Sequence, residues 1–133
     1  KNRSVAAFAS FIAQKEKKET KLNFCKNPLN FIYYSNISSQ IKDSNYLIAE
    51  IIKELNEVKT IWEPHNKTTK NGSQSRDNLF ENPSRNLNKL KLVILDELDL
   101  YHSKFQDDSS TFIQDWPLKK TLSAWHLVMK QQG

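Results

Sequence analysis

Apolar and polar positions alternate along this chain with different periods in different stretches. In residues 4–19, Val5, Phe8, Ala9 and Ile12 recur on one helical face, and Ser4 stands where a side chain can cap the first turn. That stretch closes on the solvated run Lys15-Glu16-Lys17-Lys18-Glu19, and Asn27-Pro28 breaks the chain. Residues 29–34 (LNFIYY) are short, apolar and aromatic, the pattern of a buried strand. Residues 45–62 carry the clearest helical stripe: Leu47, Ile51, Leu55, Val58 and Trp62, with Ile48 and Ile52 beside them. Asp43 or Ser44 caps this helix and Pro64 ends it.

Residues 65–86 are polar, with Asn71-Gly72 as a turn signal, and are expected to form a flexible loop or a gap. Residues 89–100 (KLKLVILDELDL) hold an unalternated apolar run, 92–95, that ends in Asp96-Glu97 and then Asp99. Such a run suits a strand buried on both faces, and acids at its C-terminal end sit where open α/β sheets bind ligands. Asp115 and Pro117 then open a last helix, with Leu118, Leu122, Trp125 and Met129 on its apolar face. The order helix, strand, helix, loop, strand, helix predicts an α/β fold built on a parallel sheet with flanking helices. Residues 1–133 are expected to form a single domain or a domain fragment. The chain starts at Lys1 rather than Met, as expected of a fragment, a processed chain or a set of ordered stretches numbered together.

Composition narrows the picture. The chain is 38% hydrophobic and 26% charged, which supports a core and is too apolar for wholesale disorder. Only two glycines occur, which disfavours hairpin-rich all-β folds and glycine loops that cradle phosphate. The one cysteine, Cys25, cannot form an internal disulfide or complete a cysteine-rich zinc site, and no metal site is expected. His65, His102 and His126 lie at no ligand spacing. No apolar run reaches the length of a membrane span.

The net charge of +5 is uneven. Residues 1–28 carry seven bases against two acids, and residues 59–91 carry seven against three. Residues 92–116 carry one base and six acids. Basic excess attracts phosphate backbones by counterion release, and Lys15, Lys17, Lys18, Lys21, Lys67, Lys70 and Arg76 are the candidate contacts. Trp62, Trp116 and Trp125 are candidates for stacking on bases, although Trp62 and Trp125 fall on apolar helical stripes that favour core packing.

An apolar run ending in Asp-Glu looks like a Walker B motif, in which the aspartate holds Mg²⁺ and the glutamate polarises water. Asp96 and Glu97 are the candidates for those catalytic roles here, as a relic or together with a loop outside this chain. The wider stretch LVILDELDLYHSKF, followed by QDWPLKK, resembles the AAA+ core of replication-initiator ATPases, the family of the origin recognition complex large subunit. FIYYSNISS followed by NYLIAEIIKELN is similar to that family's second strand and helix. The resemblance spans about residues 29–125 and implies a three-layer P-loop-NTPase-like fold. It also implies a place in a nuclear complex acting on DNA.

The chain departs from that family in lacking any Gly-Lys-Ser/Thr phosphate loop. No cofactor is therefore expected, and Mg-ATP enters only if a phosphate loop lies outside this chain. Degenerate RecA-like recombinase paralogues are a second family with the same strand, helix, strand order.

The expected function is that of a non-catalytic, nucleotide-hydrolase-like subunit in origin recognition, silencing or recombination. Its partners would be protein subunits and DNA. A fragment of an active AAA+ ATPase and a plain protein-interaction domain are the alternatives. In the plain domain, Asp96, Glu97 and Asp99 are an ordinary acidic strand end.

Overall fold

A computed structural model describes residues 3–18 and 24–130. Helix α1 spans Arg3–Glu16, α2 spans Ser44–Glu57, α3 spans Arg85–Phe105 and the short α4 spans Thr111–Gln114. Two 3-10 turns, Pro28–Phe31 and Ile37–Ser39, lie between α1 and α2. Strands β1 (Thr60–Trp62), β2 (Gly72–Ser75) and β3 (Leu127–Met129) form one antiparallel sheet in the order β1-β2-β3. The protein is mostly helical, and its only sheet among the described residues is small and antiparallel. The parallel three-layer α/β architecture expected from the sequence is therefore wrong, and so is the nucleotide-hydrolase-like fold that the resemblance implied.

Two elements account for the difference. Residues 29–34 form no strand. Pro28 presets φ for the first turn of a 3-10 helix, and Ile32 leaves it in extended backbone without a ladder. Residues 89–100 lie within α3. Leu87 is buried, and Leu90, Ile94, Leu98, Tyr101 and Phe105 are half-buried at spacings of three and four, whereas Leu92 is 51% exposed. That is a helical period, and the four-residue apolar run masked it. Ser84 begins the helix: its Oγ accepts the Leu87 backbone N–H at 3.1 Å, an N-cap on an otherwise orphaned donor.

The other elements depart less. Helix α1 keeps its expected start but ends at Glu16, and the next residue, Lys17, takes the left-handed conformation (φ 52°) usual just after a helix. Helix α2 keeps its start but stops at Glu57, because Val58 is extended (ψ 124°) and Thr60–Trp62 joins the sheet. The polar stretch 65–86 contains β2 and the first residues of α3. The last expected helix does not form beyond α4. Instead Leu79 N–H donates to Ala124 O at 2.9 Å and Ala124 N–H donates to the Asn78 side chain at 2.9 Å, holding the chain extended into β3.

Contacts divide the chain into two compact units. One comprises Lys1–Ser35 and Glu97–Lys119. It centres on aromatic rings: Phe31 lies 5.3 Å from both Phe105 and Phe112, and Trp116 stacks on Tyr101 at 5.6 Å and on His102 at 5.0 Å. Ile113 is fully buried there, and the Tyr101 hydroxyl donates to Phe31 O at 2.9 Å.

The other unit comprises Asn36–Asp96 and Lys120–Gly133. Its core is Leu47, Ile51 and Leu87, with Ile37, Ile41, Leu55, Leu79 and Leu90 packed against them. The Glu54 carboxylate joins α2 to the start of α3, accepting from Ser84 Oγ at 2.5 Å and Asn86 Nδ2 at 2.8 Å.

Candidate functional site

The sheet of the second unit gathers aromatic and basic side chains. Residues directly opposed in an antiparallel ladder share a face. Trp62, Ser73 and Val128 are opposed across the three strands and so lie together on one face. The ladder continues one step beyond β3, where Lys130 N–H donates to Asn71 O at 3.0 Å, which puts Lys130 on the same face as Val128. The Lys130 ammonium stands 4.7 Å from the Trp62 ring centroid. A second pair forms nearby in the chain, with Lys67 Nζ 5.6 Å from the Trp125 centroid. Trp62 is 47% exposed and Trp125 41%. Neither ring is a core residue, so the expectation that they pack inside a helical stripe is corrected.

Local chemistry fixes this sheet. Gly72 is needed for close approach: a Cβ there would meet Val128 O and Met129 Sδ at 2.7 Å. Glu63 (φ 39°) and Asn71 (φ 53°) take left-handed backbone at the two ends of the β1–β2 connection. Glu63 N–H donates to Gly72 O at 2.9 Å, and Asn71 N–H donates to the Glu63 carboxylate at 2.8 Å. Thr69 Oγ1 donates to Gln74 Oε1 at 2.6 Å, tying the β1–β2 connection to β2 with both residues buried.

Beside the strands lies a groove of about 980 Å³, lined by Val58, Ile61, Leu79 and Leu87 together with Lys59 and Arg76. Among the described residues no ion pair engages Lys59, Lys67, Arg76 or Lys130. Four cations of one unit are therefore available to an anion.

The expected site residues fall into separate places. Lys67, Lys70 and Arg76 lie on or beside the β1–β2 hairpin of the second unit. Lys15, Lys17 and Lys18 lie at the end of α1, in the first unit, where Lys18 pairs with Glu16 at 3.3 Å. Lys21 lies outside the described residues. Asp96 and Glu97 lie mid-helix in α3, so the strand-end geometry on which their Walker-B-like roles rested is not formed. Asp96 is exposed, and Glu97 Oε1 accepts the Ser35 hydroxyl at 2.7 Å. No group of three or more His, Cys, Asp or Glu side chains among the described residues could hold a metal ion.

Trp116 belongs to the aromatic core of the first unit. The Cys25 thiol is buried, and burial, with a smaller contribution from Asp108, raises its pKa above the usual thiol range. That is the opposite of what an activated thiol needs.

Lys130 was missed as a site residue, as was its pairing with Trp62. The signal for it was Thr60-Ile61-Trp62, a β-branched and aromatic run before Pro64, followed by Asn71-Gly72. Comparison with protein-family models, curated proteins and solved structures gives no match for this chain.

Proposed function

We propose that this chain is a non-catalytic binding subunit of a nuclear complex acting on DNA, and that its small sheet contacts single-stranded nucleic acid. The observation that carries this reading is the half-exposed Trp62 ring with the Lys130 ammonium over it. A ring and a cation held together match a base and its phosphate, because stacking is sequence-tolerant and the cation replaces condensed counterions. Lys59, Lys67 and Arg76, all without ion pairs in the same unit, supply further phosphate contacts. The net charge of +5 favours the encounter. Exposed apolar side chains such as Ile61, Leu127 and Met129 supply contacts with protein subunits.

A fluorescence-anisotropy titration with labelled oligothymidine tests the reading. The wild-type chain is expected to bind, and Trp62→Ala to weaken binding by about 1–3 kcal/mol, the usual worth of one stacked base. Asp96→Ala is expected to leave it unchanged. Equal affinity of wild type and Trp62→Ala would remove the sheet from the account and leave a protein-interaction domain.

A further inference from the structure

Strand β3 is an edge with an unusual lack of protection. It is the outer strand in the order β1-β2-β3, and Leu127, Val128 and Met129 are all exposed, by 50%, 48% and 58%. Hydrogen bonding alternates along it. Ser75 N–H donates to His126 O and Lys130 N–H donates to Asn71 O, so His126, Val128 and Lys130 turn their backbone groups toward β2. By the same alternation, Leu127 and Met129 turn their N–H and C=O groups outward. The opposite edge, β1, is flanked by Lys59 and by Pro64, the residue types that block strand addition. Among the described residues of β3 and its flanks, Lys130 is the one charged side chain, and it sits at one end.

We propose that the β3 edge receives an extended strand from a partner polypeptide, one with apolar side chains opposite Leu127 and Met129 and an acidic residue opposite Lys130. An extended backbone is the occupant whose donors and acceptors match the outward row at Leu127 and Met129. The apolar side chains on both faces of β3 favour apolar neighbours across the new ladder. Lys130, which has no ion pair among the described residues, selects the acidic residue opposite it. Lys130 also serves the Trp62 face, but Leu127 and Met129 do not, so variants of Leu127 separate strand addition from nucleic-acid contact.

Hydrogen exchange on the full chain tests this, with a synthetic Asp-Val-Thr-Val-Thr-Val-Asp peptide as the probe. The amides of Leu127 and Met129 are expected to exchange at least about tenfold more slowly with saturating peptide, while the β1 amides are unchanged. Leu127→Pro removes an outward N–H without touching the bonds to β2, and is expected to abolish the protection. Lys130→Glu keeps the edge and is expected to prefer the same peptide with lysine ends, which holds the test open if the proline variant unfolds.

Unchanged exchange at Leu127 and Met129 would overturn the proposal. So would equal protection by a peptide N-methylated at alternate residues. A dimer mass by light scattering that Leu127→Pro reduces to monomer would overturn it too, by making a second copy the occupant. A folded Leu127→Pro variant is expected to retain oligothymidine binding.

Discussion

At the scale of single residues, side chains that looked chemical in the sequence have structural work, and one that looked structural is exposed. Glu97 joins α3 to Ser35, while its neighbour Asp96 faces solvent. Glu97→Ala is expected to cost about 0.5–1.5 kcal/mol for the lost hydrogen bond, and Asp96→Ala to fall within about 0.5 kcal/mol of wild type. Urea unfolding of both variants checks this, and equal, large losses would contradict it.

Cys25 and Tyr101 contribute to the response to alkali. Burial raises both pKa values, with Asp108 adding to Cys25 and Cys25 adding to Tyr101. The folded state then holds its protons longer than the unfolded chain, so stability is full below the usual thiol range and falls as pH rises through it. Thermal melts from neutral to alkaline pH are expected to show that decline, and Cys25→Ala to flatten its first part. Iodoacetamide is expected to modify Cys25 more slowly at neutral pH than it modifies free cysteine.

At the scale of elements, α3 decides the fold. If residues 92–95 were a strand buried on both faces, Leu92 and Ile94 would tolerate little change. On the helix, Leu92 faces solvent and Leu87 faces the core of Leu47 and Ile51. Leu92→Lys is expected to shift stability by less than about 0.5 kcal/mol, and Leu87→Ala to cost about 2–5 kcal/mol. Chemical denaturation distinguishes them. Gly72→Ala is expected to cost about 1–3 kcal/mol, because the added Cβ meets the Val128 carbonyl and Met129 sulfur with little room to yield.

Much at this scale was legible. The α2 stripe was visible because it runs over several turns of one face, whereas α1 was legible as a helix but its predicted stripe leaves Val5 and Phe8 exposed. The Asn71-Gly72 turn signal marks the entry to β2 instead: Asn71 bends the chain at positive φ and Gly72 opens the strand, while the turn itself lies at His65-Asn66. The misreading of α3 came from a window too short to show its period, which needs Leu87 and Phe105 at its ends. Residues 118–126 misled for another reason. Their extended path depends on bonds to Leu79 and Asn78, forty or more positions away, which no local pattern reveals.

At the scale of the whole molecule, the basic excess was legible and its distribution in space was not. The sequence placed candidate phosphate contacts at two points in the chain. The structure assigns Lys15, Lys17 and Lys18 to one unit and Lys67, Lys70 and Arg76 to the other. It adds Lys130, which reaches Trp62 only because β3 pairs with β2. A lysine so near the C-terminal end of the chain and a tryptophan near its middle carry no sequence mark of their pairing. The acidic stretch 92–116 also changes meaning, since its Asp96 and Glu97 are positions on α3 rather than a ligand site at a sheet edge.

The most direct test of the account is the salt dependence of oligothymidine binding, followed from about 50 to 200 mM for the wild type and for a Lys67→Gln/Lys130→Gln double variant. If both lysines meet phosphate, the log–log slope of the double variant is shallower by about 1.4, some 0.7 for each cation on a single strand. An unchanged slope, or no binding by the wild type at the lowest salt, would contradict the claim that this sheet holds nucleic acid.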